Sequence, residues 1–372
     1  MADPVQRFFA AERLRAAGDL GVAEAAYRAL LEDQPRHVGG VEGMAATCLA
    51  AGRSTEADIF TAQAAAIRAD AAADVAAALL FHNDMKRARQ CCEQALSHND
   101  NCLKAHWLLG DIEARADNRD AALVHYRRCR EIAPERLGPG FLMAALGEGT
   151  LPERAPADYV TAQFDWYAET FDSHLVETLL YRGPEEVARA LRLELADGSP
   201  TLLDLGCGTG LLAPELGNFS GRLIGVDLSP AMLEKAAGRG RYDALEAADI
   251  VEFLAAWPAG TADIAAAVDV VVYIGDLGPL MAGVARALRP GGVFVFTTER
   301  WNADEQPGPA ADDDAVPGWR LRPSGRFQHA RSALSGLAGA HGFGIETIED
   351  RVLRYEYGLP VDSDLVKLRR QA

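Results

Sequence analysis

Positive charge is scarce in this chain. Lys and Arg number 37 against 54 Asp and Glu, a formal charge of -17 over 372 residues. A nucleic-acid surface needs clustered Lys and Arg, and so does docking to an anionic bilayer. Neither nucleic acid nor membrane is therefore expected as a partner. Long apolar runs are missing too: no stretch reaches the roughly 18 to 20 residues of a membrane span. Met1-Ala2-Asp3-Pro4 has no basic region followed by an apolar run, so no signal peptide is expected. The six cysteines (Cys48, Cys91, Cys92, Cys102, Cys129 and Cys207) contain no Cys-x-x-Cys pair and fit neither a zinc site nor a disulfide framework. Reduced thiols in a cytoplasmic protein are the simplest reading. No acidic cluster has ligand spacing, and no metal is expected.

What is present is ordinary globular composition, 49% hydrophobic and 24% charged, over a length suited to two domains. The charge is uneven. Residues 1–150 hold 17 basic and 21 acidic groups, whereas residues 151–372 hold 20 and 33.

Residues 1–135 have almost no strand signal. Alanine is abundant and apolar residues recur at helical spacing. Ala23, Ala57, Ala88 and Ala122 are spaced 34, 31 and 34 residues apart. Around them stand Gly18, Tyr27, Leu30 and Pro35 in a first unit and Gly110, Tyr126 and Pro134 in a fourth. A small residue lets two helices approach, and a large one such as Tyr27 or Tyr126 fills the gap to the next unit. These residues resemble the tetratricopeptide repeat, whose hairpins stack into a solenoid because none buries its face alone. The resemblance implies a protein partner on this domain. Phe8 and Trp107 fall where they face a groove or pack on a neighbouring unit.

Residues 136–157, with Pro and Gly, read as a connector. Beyond it β-rich runs alternate with helical segments, which implies βαβ units and a parallel sheet. Strands are expected at 201–205, 222–227, 243–248, 264–268 and 293–298, with a last pair near 345–354 and after it. The sharpest signal is Leu202-Leu203-Asp204-Leu205-Gly206-Cys207-Gly208-Thr209-Gly210, a strand running into a glycine turn ahead of a helix. Glycine lets the backbone turn tightly and approach a ligand. The spacing departs from the dinucleotide Gly-x-Gly-x-x-Gly, and Asp204 suits an ammonium rather than a pyrophosphate. Asp227, in Gly225-Val226-Asp227-Leu228-Ser229, stands where a carboxylate accepts ribose hydroxyls. Ala248-Asp249-Ile250 offers a carboxylate beside an apolar residue, suited to an adenine. Leu288-Arg289-Pro290-Gly291-Gly292 reads as a helix-ending turn into the next strand. Capping of strand ends also accounts for Asp227 and Asp249 taken singly.

As an ordered set these motifs resemble the class I S-adenosylmethionine-dependent methyltransferases, over residues 158–372. The resemblance implies a Rossmann-like seven-stranded sheet with its last strand antiparallel. It also implies S-adenosyl-L-methionine across the C-terminal ends of the first strands. Gly206, Cys207, Gly208 and Gly210 would line the methionine part, Asp227 the ribose, and Ala248, Asp249 and Ile250 the adenine. Leu228 and Met232 would pack near the adenosine. The expected fold is an all-α tetratricopeptide-like solenoid over 1–135, then an α/β methyltransferase domain over 158–372.

Methyl transfer needs an aligned nucleophile, exclusion of water and often a base. Residues just after the fourth strand face the methyl in this family, which makes Asp269 and Tyr273 candidates for substrate or cofactor contact. The aromatic stripe of Phe164, Tyr167 and Phe171 follows helical spacing. It either folds over the sulfonium, offering π-faces, or packs on the sheet. His174 is a candidate base or a structural histidine. Glu299, Arg326 and His329 are candidate acceptor contacts, with Arg326 to His329 expected to open a helix. Arg354 and Glu356 are a further polar pair, explained equally by ion pairing. Residues 302–318 read as an acidic loop. No Asn-Pro-Pro-Tyr-like motif is present, which disfavours DNA, RNA or glutamine acceptors. The expectation is methylation, O- before N-, of a small-molecule or carrier-bound acceptor. The alternative is a protein methyltransferase that docks a polypeptide through the repeats.

Overall fold

The computed structural model describes residues 3–167, 172, 179–195, 198–301, 318–356 and 359–372, with the backbone alone at Trp166 and Tyr167. The chain divides into two compact units, Met1–Glu135 and Arg136–Ala372. Among the described residues no helix is long and apolar enough to cross a membrane.

The first unit is helical: α1 (Pro4–Ala16), α2 (Leu20–Asp33), α3 (Val38–Ala50), α4 (Ser54–Phe81), α5 (Met85–His98), α6 (Leu103–Arg115) and α7 (Arg119–Ile132). Each packs on the next along the chain. The four regularly spaced alanines are buried. Close approach of helices is enforced at two glycines. A Cβ on Gly43 would lie 2.3 Å from Tyr27 Cζ, and one on Gly110 would lie 2.4 Å from Tyr126 Cε1. Both tyrosines are buried, and both donate their hydroxyls to a carboxylate on the preceding helix, Tyr27 to Glu12 and Tyr126 to Asp111. Phe8 packs its ring on Tyr27 and His37, and Trp107 packs on Tyr126. Helix α4 differs from a regular two-helix period. Its 28 residues contain neither Gly nor Pro, so nothing stops the helix where a turn between units would fall.

The second unit is α/β. Its strands are β1 (Thr201–Leu205), β2 (Arg222–Asp227), β3 (Ala244–Ala247), β4 (Ala262–Ala267), β5 (Leu288–Arg300), β6 (Trp319–Leu321), β7 (Phe327–His329), β8 (Phe343–Glu356) and β9 (Leu359–Arg370). Strands β3-β2-β1-β4-β5 pair in parallel, and β9 runs antiparallel to both β5 and β8. The helices are α8 (Gly138–Ala145), α9 (Ala157–Tyr167), α10 (Gly183–Ala190), α11 (Leu212–Glu215), α12 (Pro230–Gly238), α13 (Ile250–Ala256), α14 (Gly278–Ala287) and α15 (Arg331–Ala340). The core alternates by strand period. Leu203, Leu205, Ala265, Phe294 and Phe296 line one face, and Leu202, Ile264, Ala266, Val293 and Val295 line the other. Both faces of a parallel sheet are thus covered.

Three expectations are corrected. Among the described residues the sheet has nine strands rather than seven, because β6 and β7 add a short hairpin beside the end of β5, where Glu299 pairs with Gln328. Arg326 to His329 do not open a helix. Gly325, at φ +74°, closes a turn, the buried Phe327, Gln328 and His329 extend as β7, and the helix begins at Arg331. The turn at Leu288 to Gly292 lies inside β5, whose register against β4 jumps between Ala262 and Ile264. The stretch 136–157 is also built into the second unit. Phe141, Leu142 and Met143 of α8 are buried, and the Gly275 and Asp276 N–H groups donate to Glu153 O at 2.7 and 2.9 Å.

Candidate active site

The C-terminal ends of β1, β2 and β4 converge on the glycine turn. Gly206, Gly208 and Gly210 have φ of +72°, +53° and +80°, left-handed values that favour glycine. A Cβ at Gly206 would lie 2.3 Å from Val270 Cγ2, so the bare backbone is a steric requirement as well. The Gly206 and Cys207 N–H groups both donate to Val226 O, at 2.7 and 2.9 Å, which ties the turn to β2. Cys207 is buried, and burial raises its thiol far above the ordinary range, so it is a packing residue rather than a thiolate.

Asp227 closes the cradle from the end of β2. Its Oδ2 accepts from Gly208 N–H at 2.8 Å and its Oδ1 from Ser229 N–H at 2.9 Å. Burial raises this carboxyl, and the N–H groups of Ser229, Gly208 and Leu228 pull it back. Met232 is buried in the first turn of α12, its N–H donating to Ser229 Oγ at 3.1 Å, and Leu228 is half-buried. Asp204 is 1% exposed and accepts from Tyr242 Oη at 2.7 Å. Burial first, then the nearby Asp227 charge, pushes its carboxyl up to about 7.

Asp249 caps α13, accepting from Val251 N–H at 2.9 Å and Glu252 N–H at 3.3 Å. Its other oxygen takes Arg154 at 3.1 Å. Ile250 is buried beside it, and Ala248 N–H donates to Asp227 O at 3.1 Å. These contacts bring the ends of β2 and β3 together.

Beyond β4 a charged cluster forms. Asp269 has φ +61°, and its N–H donates to Thr297 Oγ1 at 2.8 Å. Both its carboxylate oxygens accept from Arg354 Nη1 at 2.6 Å. Arg354, buried on β8, also donates to Glu299 on β5 and, at 3.0 Å, to Glu356. Arg326 pairs with Glu356 and lies 3.5 Å from Glu299. Three carboxylates thus surround two guanidiniums. Tyr273 sits nearby with its ring edge-on to Phe164, centroids 5.6 Å apart. His329 is brought to the same end but is 2% exposed, with Nε2 3.2 Å from Gly275 O. Burial lowers its pKa to about 4, so at neutral pH the imidazole is uncharged. Phe171 and His174 lie outside the described residues, as does the side chain of Tyr167.

Sequence reasoning missed the groups that grip the cradle. The Ser229 hydroxyl donates to Asp165 at 2.5 Å, and Asp172 accepts from the Thr209 hydroxyl and from Arg239. Tyr242 and Arg154 were also unmarked, because no local motif surrounds them.

The residues present fit a bound nucleoside-bearing cofactor: a bare glycine backbone forms the cradle and a carboxylate closes it. Residues 203–296 match the family model described as a methyltransferase domain. The chain is 37% identical over 142 residues to methyltransferase-like protein 27 of Homo sapiens, covering 36% of this chain and 56% of that one. It is 32% identical over 120 residues to the ubiquinone biosynthesis O-methyltransferase of Aromatoleum aromaticum, covering 29% and 50%. The chain spans about half the length of these curated relatives. An S-adenosylmethionine-dependent methyltransferase structure from Mesorhizobium loti is 27% identical, covering 50% of this chain and 100% of that one, with a TM-score of 0.39. Residues 203–296 therefore form a methyltransferase domain, an enzyme domain whose cofactor is S-adenosyl-L-methionine.

Proposed function

We propose that the chain is an O-methyltransferase acting on a small-molecule or carrier-bound acceptor in the cytoplasm. The observation that carries this reading is the convergence of the glycine turn, Asp227 and the Asp269 cluster at one end of the sheet. The relatives named ubiquinone biosynthesis O-methyltransferases support oxygen as the acceptor atom. The cofactor supplies an electrophilic methyl group. In this reading Gly206, Cys207, Gly208 and Gly210 hold its amino-acid part, with Asp204 below. Asp227 takes the ribose hydroxyls, and Leu228, Met232, Ala248, Asp249 and Ile250 surround the base. Asp269 lies toward the sulfonium side, and Tyr167 and Phe171 are the candidate cover. Tyr273 and Glu299 contact the acceptor and hold its proton. His329, neutral and bonded to a backbone carbonyl, acts by fixing the Gly275 turn, and His174 is the remaining candidate base.

The test is calorimetric titration of the full chain with S-adenosylhomocysteine. Binding that falls at least tenfold in Asp227→Ala supports the reading, and unchanged binding overturns it.

The second reading, a protein methyltransferase docking its substrate on tetratricopeptide-like repeats, draws on the recurring hydroxyl–carboxylate pairs Tyr27–Glu12 and Tyr126–Asp111, each 15 residues apart. Radiolabelled methyl transfer into a whole-cell extract separates the two readings. Label in the small-molecule fraction favours the first, and label in acid-precipitated protein favours the second.

A further inference from the structure

Residues 239–243 join α12 to β3 and grip the cradle from beneath. Arg239 Nε donates to Thr209 O at 2.5 Å, and Arg241 donates to Gly217 O at 2.5 Å. Asp243 accepts from Leu223 N–H at 2.7 Å. Between them stands Tyr242. A Cβ on Gly210 would lie 2.8 Å from its ring, and so would one on Gly225 of β2. Its hydroxyl donates to Asp204 Oδ2 on β1 at 2.7 Å. One half-buried side chain therefore touches the glycine turn, the second strand and the carboxylate of the first strand.

We propose that Tyr242 is a positioning residue for cofactor binding, acting through Asp204: it fixes the buried carboxylate in one orientation beneath the glycine turn, where its charge meets the ammonium end of an amino-acid-bearing cofactor. The proposal rests on the reading that the glycine turn takes that end of S-adenosylmethionine.

The chemistry is consistent on both sides of the bond. Burial, and then Asp204, push the Tyr242 phenol far above its usual range, so it remains a donor at every working pH. Among the described residues, no cation is found among the groups that act on Asp204. Tyr242 lowers its carboxyl and the Asp227 charge raises it. Cys207 in the turn and Tyr181, ahead of α10, are neutral at working pH, since burial raises both. Arg239 lowers the Tyr242 phenol by its charge, and is itself held by Thr209 O and the Asp172 carboxylate. A carboxylate without a cationic partner in so buried a place is costly unless a ligand brings the positive charge.

The experiment is a double-mutant cycle on the full chain, with S-adenosylhomocysteine as probe and titration calorimetry from pH 5.5 to 8.5. Tyr242→Phe keeps the ring that packs on Gly210 and Gly225 and removes only the donor. The expected loss of affinity near pH 7 is roughly tenfold to a hundredfold, the range for a hydrogen bond to a charged group. Asp204→Asn, approached from the other partner, gives a comparable loss and flattens the rise in affinity that the wild type shows as pH passes about 7. The double variant is no weaker than Asp204→Asn alone. Wild-type affinity and pH profile in Tyr242→Phe overturn the proposal. So does a Tyr242→Phe loss that persists in full in the Asp204→Asn background, because that loss would come from ring packing. A wild type that does not bind the probe removes the cofactor reading itself, an outcome separate from either of these.

Discussion

Arg354 places a single guanidinium nitrogen, Nη1, 2.6 Å from both carboxylate oxygens of Asp269, 85 residues earlier in the chain. Asp269 is held at a left-handed φ that a non-glycine residue adopts at some cost. The guanidinium also reaches Glu299 and Glu356, so the ends of β4, β5 and β8 are joined through one buried cation.

Removing that cation takes the guanidinium from Asp269 and, among the described residues, leaves Glu299 and Glu356 with Arg326 alone. Arg354→Met is expected to destabilise the second unit by roughly 3–5 kcal/mol, the cost of leaving buried charges uncompensated. Arg354→Lys keeps the charge without the planar fork and recovers only part of the loss. Urea unfolding of both variants checks the order; equal stability of wild type and Arg354→Met would contradict it.

At Gly206 two penalties coincide, the positive φ and the contact with Val270. Gly206→Ala is expected to cost about 1–3 kcal/mol and to weaken S-adenosylhomocysteine binding at least tenfold. Adding Val270→Ala relieves the clash but not the dihedral strain, so stability returns only in part. Thermal melts and titration of the single and double variants separate the two causes.

In the helical unit, Gly110→Ala drives a methyl into the Tyr126 ring and is expected to cost about 1–3 kcal/mol, as overpacking does. Gly21→Ala, with open space around the same atom, is the control and is expected to be neutral or slightly stabilising. Tyr126→Leu in the Gly110→Ala background restores part of the loss. Melts showing equal effects at both glycines would contradict the packing argument.

A pH dependence follows from His106 and His125, whose Nδ1 atoms are 3.1 Å apart. Burial, and then His106, lower the pKa of His125. A base depressed in the folded state contributes stability that is present above its unfolded value, about 6.5, and is lost as pH falls through the folded value. The helical unit is expected to lose protection against hydrogen exchange between pH 7 and pH 5, with a smaller loss in His125→Gln. Asp204 works in the opposite sense. Its raised carboxyl contributes stability that is present at acid pH and lost as pH rises through about 7. Asp204→Asn is expected to remove that decline from the second unit.

The sheet was legible where strand and turn signals are contiguous. Thr201–Leu205 and Arg222–Asp227 stand where the apolar runs and their acidic ends put them. The misread segments were those whose state depends on a distant neighbour. Phe327 to His329 read as a helix start because Ala-rich helix follows directly. They are a strand because β5 and β6 offer backbone partners on both sides. The regular repeat likewise concealed the unbroken α4, since a periodicity of small residues does not say where a helix stops.

By itself the sequence determined the glycine turn and the carboxylates at the strand ends. Its glycines and acidic strand ends are local requirements of backbone conformation, written into a few consecutive residues. Only the tertiary structure decided which charges and hydroxyls act together. Tyr242 meets Asp204 across 38 residues, and Arg354 meets Asp269 across 85. No periodicity or motif encodes such pairs. The second exists because strands deliver their C-terminal ends to one edge, and the first because the loop entering β3 lays Tyr242 against Gly225 of β2; in both, buried polar groups must find partners.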